Sequence, residues 1–288
     1  MASMKEIKHR IVNVSSTENI IRAMDLIAST KLNRIRARLE GVRPIYHELR
    51  RITTEIGSKE EAKSSVFYAG RDVGSSLYIV ITADQGFSGG YNANIAHKAL
   101  AHMRSKNEKI LIVGAKGYEY FTRQRKNIIR RIFDLPDAQV YYGTESIARW
   151  VLDLYLSEEV DEVYAAYTLF DNVLRYEPCV EKLLPAPLNP GAAKSGDGRK
   201  YEPGLDAFIE HLVFLYMHMA LFRAFTEAHT SEQAARMVSM DAAAKNAEEM
   251  IEKLTHMYNR KRQAAITQEL SEIIGGTNII NKGEPDDS

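Results

Sequence analysis

Apolar and polar positions follow a regular seam through the first fifty-odd residues. Ile7, Ile11, Val14, Glu18, Ile21, Asp25, Ala28, Leu32, Ile35, Leu39, Val42, Tyr46, Leu49, Thr53 and Ile56 succeed one another at alternating steps of four and three. Only Glu18, Asp25 and Thr53 interrupt the apolar content of that seam. Heptad register sustained this far is a coiled-coil signal and exceeds the stripe of an ordinary surface helix. It predicts one helix over 1–56 that seeks a helical mate. Pro44 falls inside it, and its missing N–H predicts a lost backbone bond and a local kink.

From 57 to 76 the pattern turns polar, with GSKEEAKSS and AGRDVGSS, and predicts a boundary. An alternation of short apolar runs and amphipathic runs follows over 77–184. LYIVIT (77–82), KILIVGA (109–115) and NIIRRIF (127–133) read as strands. NANIAHKALAHMR, AKGYEYFTRQ and TESIARWVLDLYLS read as helices, and DEVYAAYTLFDN with VLRYEPCVEKLL as a final hairpin. Strands alternating with helices predict a mainly parallel sheet covered on both faces. PAPLNPGAAKSGDGRKYEPG (185–204) has the composition of a flexible linker.

Between Leu205 and Ile280 there is no proline, and the glycines are Gly275 and Gly276 near the end. This predicts a second helix of roughly 70 residues, on the order of 100 Å long. Its seam carries Leu212, Leu215, Met219, Phe222, Ala247, Ile251, Leu254, Tyr258 and Ala265. A helix of that length must pair with another or thread through a partner, and the first helix is the available mate. The expected fold is therefore α/β: a long antiparallel coiled coil of the N- and C-terminal helices, with a Rossmann-like α/β domain inserted between them at one end of a rod. The C-terminal helix exceeds its mate, so part of it is expected to extend beyond the pair.

Charge refines this picture locally. Lys plus Arg and Asp plus Glu both number 38, which gives the whole chain no nucleic-acid signature. Residues 1–56, however, hold eleven Lys or Arg against six acids, with Lys31, Arg34, Arg36, Arg38 and Arg43 close together. That cluster is denser than a solvated helix face needs, and an acidic partner is one reading of it. Cys179 is the one cysteine, which excludes an internal disulfide. No uninterrupted apolar stretch of membrane-spanning length stands out, and MASMKEIKHRIVNV lacks an apolar signal core. A cytosolic protein, reaching a membrane only through partners, is expected.

The stretch ITADQGFSGGYN (81–92) lies between a strand and a helix, where nucleotide enzymes cradle phosphate. A P-loop requires a lysine after its glycines, and GFSGGYN has neither Lys nor Arg. The dinucleotide fingerprint requires G-x-G-x-x-G, whereas glycines here stand at 86, 89 and 90. A structural turn is the better reading, with Gly86, Gly89 and Gly90 available for positive φ and Asp84 or Ser88 available to accept from backbone donors. His211 and His218, a heptad apart, lack a third ligand; HExxH and GxSxG are absent. No catalytic centre, cofactor site or metal site is expected. Two other readings compete at this point: a Rossmann-like ligand-binding module on a coiled-coil tether, with a pocket at the strand ends, and an enzyme whose site is not visible in the sequence.

Four stretches read together resemble one family, the gamma subunit of F-type ATP synthases. They are MASMKEIKHRIVNVSST with IRAMDLIASTKL, then ADQGFSGGYN, then SEQAARMVSMDAAAKNAEEMI, then YNRKRQAAITQELSEIIGG. The turn resembles the family's D-R-G-L-C-G-x-x-N pattern, with Gln85 and Ser88 departing from its Arg and Cys. The resemblance spans residues 1–280. It implies a non-catalytic rotor shaft inside a ring of alpha and beta subunits, with the α/β domain against the epsilon subunit and the ring of c subunits. It implies peripheral attachment to the cytoplasmic side of the cell membrane. On the matching positions it implies contacts of Arg262, Gln263, Thr267 and Glu269, and of the basic residues Lys31, Arg34 and Arg36, with beta subunits. It further implies a foot on the c ring at Tyr201, Glu202 and Pro203, and a structural turn at Asp84, Gly86, Gly89 and Gly90.

Overall fold

The computed structural model describes residues 3–103, 107–188, 201 and 204–281, with side chains as far as 274. Its elements are α1 (Met4–Gly57), β1 (Ser76–Ile81), α2 (Tyr91–His102), β2 (Glu108–Val113), α3 (Ala115–Arg123), β3 (Asn127–Ile132), α4 (Val140–Leu156), β4 (Glu162–Asn172), β5 (Arg175–Leu184) and α5 (Leu205–Asn281). The five strands form one sheet in the order β3-β2-β1-β4-β5. β1 pairs in parallel with β2 and β4, β2 pairs in parallel with β3, and β4 pairs antiparallel with β5. The expected mixed sheet, its three βα repeats and its closing hairpin are all present.

The chain divides into two units, Ile27–Ser239 and a smaller one of Met1–Leu26 with Met240–Ser288. In the larger unit, side-chain alternation sorts the sheet into two cores. Leu77, Ile79 and Ile81 of β1 join Leu111, Val163, Ala165 and Tyr167 against Ile147, Val151 and Tyr155 of α4 and the middle of α5. Tyr78 and Val80, on the opposite face, join Ile110, Ile112 and Ala166 against Ile95 and Ala99 of α2 and Phe121 of α3. Every residue of β1 is buried, as a central parallel strand requires. Each large apolar side chain so buried contributes roughly 1.5–3 kcal/mol.

All fifteen seam positions of α1 are buried or half-buried. The helix runs unbroken through Pro44. In the larger unit α1 and α5 run antiparallel: Leu32 and Leu39 cluster with Ala234 and Met237, whereas Tyr46 stacks on Tyr216 at 6.2 Å. In the smaller unit Arg22 of α1 is ion-paired with Glu248 of α5.

Four expectations need correcting. Leu215, placed on the α5 seam, is exposed. The centre of α5 carries no stripe at all, because Tyr216–Ala228 are buried on every side between α1, α4 and the sheet. The expectation that no stretch of membrane-spanning length stands out is also corrected: α5 is long and apolar enough, by length and composition, to cross a membrane, and its burial shows that this window serves in the core. Finally, the 57–76 boundary is more than a polar connection. It contains a 3-10 turn at Glu60–Ala62 and places Phe67 and Tyr68 in the core. Most of 185–204 lies outside the described residues; of its start, Ala186 is buried and its N–H donates to the Phe67 carbonyl at 2.8 Å.

Candidate functional site

The GFSGGYN turn is built around Asp84. Its carboxylate accepts from the N–H of Ala115, the first residue of α3, and from the N–H of Asp134, both at 3.0 Å. The side-chain oxygen of Asn92 accepts from Ala83 N–H at 2.9 Å. Asp84 thus satisfies backbone donors, as expected, but those of two neighbouring segments, while Asn92 satisfies one within the stretch itself. The Ser88 hydroxyl instead accepts from a side chain, the Asn92 amide, at 3.4 Å. Positive φ falls on Gly89 (φ 55°) and on Phe87 (φ 62°), while Gly86 and Gly90 keep ordinary values, so the glycine assignment is right for one of the three. The tightest glycine in this region is Gly114 (φ 90°), where a Cβ would lie 2.3 Å from the Thr82 carbonyl oxygen.

An open α/β sheet receives a ligand outside the carboxyl ends of its strands, at the point where the strand order reverses, which in this sheet lies between β1 and β4. Here α5 occupies that crevice. Phe225, Thr226, Ala228 and His229 face Ile81, Thr82 and Val113 across a cavity of about 60 Å³. Small-molecule sites need some 300–1,000 Å³. Asp84 and Glu232 line the same cavity together with Arg38 and His229. Tyr91 hydroxyl donates to the Ala228 carbonyl at 2.9 Å, and Arg236 reaches the Gly86 carbonyl at 3.3 Å while pairing with Glu232 at 2.7 Å. The turn is a socket for α5, and the strand-end pocket that a tethered binding module calls for is filled by that helix.

Below this socket lies a buried polar centre that the sequence reading missed. Glu181 of β5 accepts from Tyr46 hydroxyl of α1 at 2.6 Å and from Tyr167 hydroxyl of β4 at 2.7 Å, and it is ion-paired with Arg223 of α5. The Arg223 guanidinium also lies 3.9 Å from the Tyr46 ring centroid. Burial alone would raise the Glu181 carboxyl, but Arg223 and the two hydroxyls outweigh it and hold the group below its ordinary value. The same burial raises Tyr46 and Tyr167, takes Tyr216 up to about 12 and takes the half-buried Cys179 thiol to about 11. One turn further along α5, Glu227 receives two bonds from Arg43 at 2.8 Å and one from Phe170 N–H at 2.9 Å. The visible signal for this centre was charge inside apolar runs: Arg223 in MALFRAF and Glu181 in CVEKLL. Buried charges are paired, so such residues announce partners elsewhere in the chain.

The residues singled out from the resemblance fall in several places. Arg34 is ion-paired with Asp137 and Arg38 donates to the Asp137 carbonyl at 2.9 Å, so Arg34, Arg38 and Arg43 all meet acceptors within the chain itself. Lys31 and Arg36 are exposed, Arg36 beside Glu40 at 3.2 Å. Arg262, Gln263, Thr267 and Glu269 stand exposed together in the smaller unit, where Thr267 hydroxyl donates to the Gln263 carbonyl at 2.9 Å. Tyr201 is half-buried, with Lys59 donating to its hydroxyl at 2.6 Å and Phe208 against its ring. Glu202 and Pro203 lie outside the described residues. His211 and His218 both engage backbone carbonyls, of Ala207 and Tyr141, at 3.0 Å. Among the described residues no three of His, Cys, Asp or Glu group as metal ligands.

Comparison with known proteins agrees with this architecture from end to end. A family model described as ATP synthase matches residues 3–280. The ATP synthase gamma chain of Desulforamulus reducens is 39% identical over 96% of this chain and 98% of its own length. That of Moorella thermoacetica is 36% identical over 97% of this chain and all of its own. Among solved structures, a chain from the central stalk and c ring of the Tetrahymena thermophila mitochondrial ATP synthase aligns with a TM-score of 0.60 and 25% identity, over 78% of this chain and 99% of its own. A chain from the Euglena gracilis mitochondrial ATP synthase shares the fold at a TM-score of 0.72 and 18% identity, over 99% of this chain and 98% of its own. The socketed helix, the three-layered sheet and the paired termini therefore have a common explanation: the chain belongs to the ATP synthase gamma chain family.

Proposed function

We propose that this chain is the central rotor of an F-type ATP synthase. Ion flow turns a ring of c subunits, the chain turns with it, and its changing face drives the beta-subunit sites through open and closed states that make or hydrolyse ATP. In this role it is non-catalytic. Residues 1–56 and 205–280 supply the shaft, 77–184 the globular part against the epsilon subunit and the c ring, and 185–204 the connection. Arg262, Gln263, Thr267 and Glu269, with Lys31, Arg34 and Arg36, are the proposed contacts to beta subunits, and Tyr201 and Glu202 the proposed foot on the c ring. The complex places the chain at the cytoplasmic side of the cell membrane without a membrane span of its own.

The observation that carries this reading is α5. It is one unbroken helix of 77 residues. Its central turns fill the crevice where an enzyme of this sheet topology would hold its ligand. Beyond Met240 it exposes Ile266, Leu270, Ile273 and Ile274, apolar side chains that call for an enclosing partner. The test is a native pull-down with a tag inserted near Gly196. The expected product is a large assembly that hydrolyses ATP and holds one copy of this chain per several nucleotide-binding subunits. Recovery of a lone chain or homodimer in gentle detergent would overturn it.

A further inference from the structure

A shaft that carries torque must not slip against the body that turns it. Large side chains of α5 such as Tyr216, Leu221 and Phe225 are buried and interlock with their surroundings, while Ala220, Ala224, Ala228, Ala234 and Ala235, also buried, offer little relief between them. Apolar contacts are also non-directional. Further resistance to twist has to come from bonds with direction.

We propose that Glu181 and Arg223 are positioning residues that lock α5 to the sheet against rotation about its own axis. The Glu181 carboxylate, from β5, holds α1 through Tyr46, β4 through Tyr167 and α5 through Arg223. One side chain thereby fixes four elements in a single arrangement. A buried ion pair is a weak device for stability, since desolvation offsets much of the attraction and apolar replacement is often neutral. What it supplies is a unique geometry. The tie is repeated along the helix by Glu227 on Phe170 N–H, by Tyr91 on the Ala228 carbonyl, and by Ser231 hydroxyl on the Thr168 carbonyl at 3.2 Å. Glu181 with Arg223 is the one of these ties that reaches across both strands of the closing hairpin and into α1.

The inference rests on the rotor reading, and the test separates the two. The alpha and beta ring of the assembled complex is fixed to a surface, and a rod is attached at the exposed edge strand β3. Thermal angular fluctuation of the rod in the stalled complex reports torsional compliance, because softer coupling gives wider fluctuation. The Glu181→Leu/Arg223→Leu double variant leaves no lone buried charge and is expected to assemble and hydrolyse ATP at about the wild-type rate. Its angular variance is expected to rise by about twofold, since one of several directional ties is lost. Tyr167→Phe, which removes one bond to Glu181, should give a smaller rise in the same direction. Unchanged variance in both variants would overturn the proposal. So would failure of the double variant to assemble, which would make the pair a requirement for folding only. A wild-type rod that does not turn with ATP would sink the rotor reading and the joint with it.

Discussion

His218 shows how one residue's surroundings set its chemistry. It is buried on α5, with Nε2 3.0 Å from the Tyr141 carbonyl and its ring 4.6 Å from the Tyr141 ring. Burial is the larger influence and lowers its pKa below the ordinary 6.5, while the carbonyl and Glu145 pull weakly the other way and Arg149 adds to the lowering. The unfolded chain therefore takes up a proton at a higher pH than the fold does. His218 contributes stability above pH 6.5 that is lost as pH falls through that value toward the depressed one. Thermal melts from roughly pH 7 to pH 5 should fall more steeply for the wild type than for His218→Gln. Parallel curves would show that folding leaves the imidazole's pKa where it stands in the unfolded chain. At this scale the sequence was partly informative. Asp84 was legible as a turn residue. Positive φ at Phe87 was not, because nothing in its chemistry favours that region.

At the scale of elements, α1 was the most legible part of the chain because its heptad seam has one mate and one buried face. Pro44 is the exception that the packing overrides. It sits in mid-helix with its ring exposed, and the helix continues through it to Gly57. Its penalty is a missing N–H that leaves the Glu40 carbonyl without its helical donor. Since the ring packs on little, Pro44→Ala should recover part of the intrinsic difference and raise stability by roughly 1–3 kcal/mol. Urea unfolding of the two proteins measures this, and a midpoint at or below wild type would show that the ring makes packing contacts its exposure does not suggest. The centre of α5 was the least legible element. Reading it for a stripe presupposed a solvent-facing side, whereas LVFLYMHMALFRAF is apolar nearly all round, which marks a helix enclosed on every side. The lone Arg223 within it, and Glu181 in β5, were the clues to the polar centre; their meeting depends on a sheet topology that no local pattern reports.

Considered as a whole molecule, the chain combines a unit that completes its own core with one that does not. In Ile27–Ser239, α5 is enclosed by α1, α4 and the sheet. In Met1–Leu26 with Met240–Ser288, burial thins along α5 until Arg262–Ala264 and Ile266–Ile274 are exposed throughout. A helix without tertiary packing has little to hold its backbone bonds beyond intrinsic propensity, and single helices are marginal in water. Opening free energies should therefore differ sharply along one continuous helix. In hydrogen exchange on the isolated chain, amides of Tyr216–Ala228 should be among the slowest, and those beyond Arg262 should exchange close to the unprotected rate. In the assembled complex the distal amides should slow by orders of magnitude, because a partner sleeve now excludes water and supplies the missing apolar contacts to Ile266, Leu270, Ile273 and Ile274. Distal amides already slow in isolation would mean that α5 is held by the chain itself. Distal amides still fast after assembly would mean that no sleeve closes on it, and the exposed apolar edge would need a different partner from the one a rotor requires.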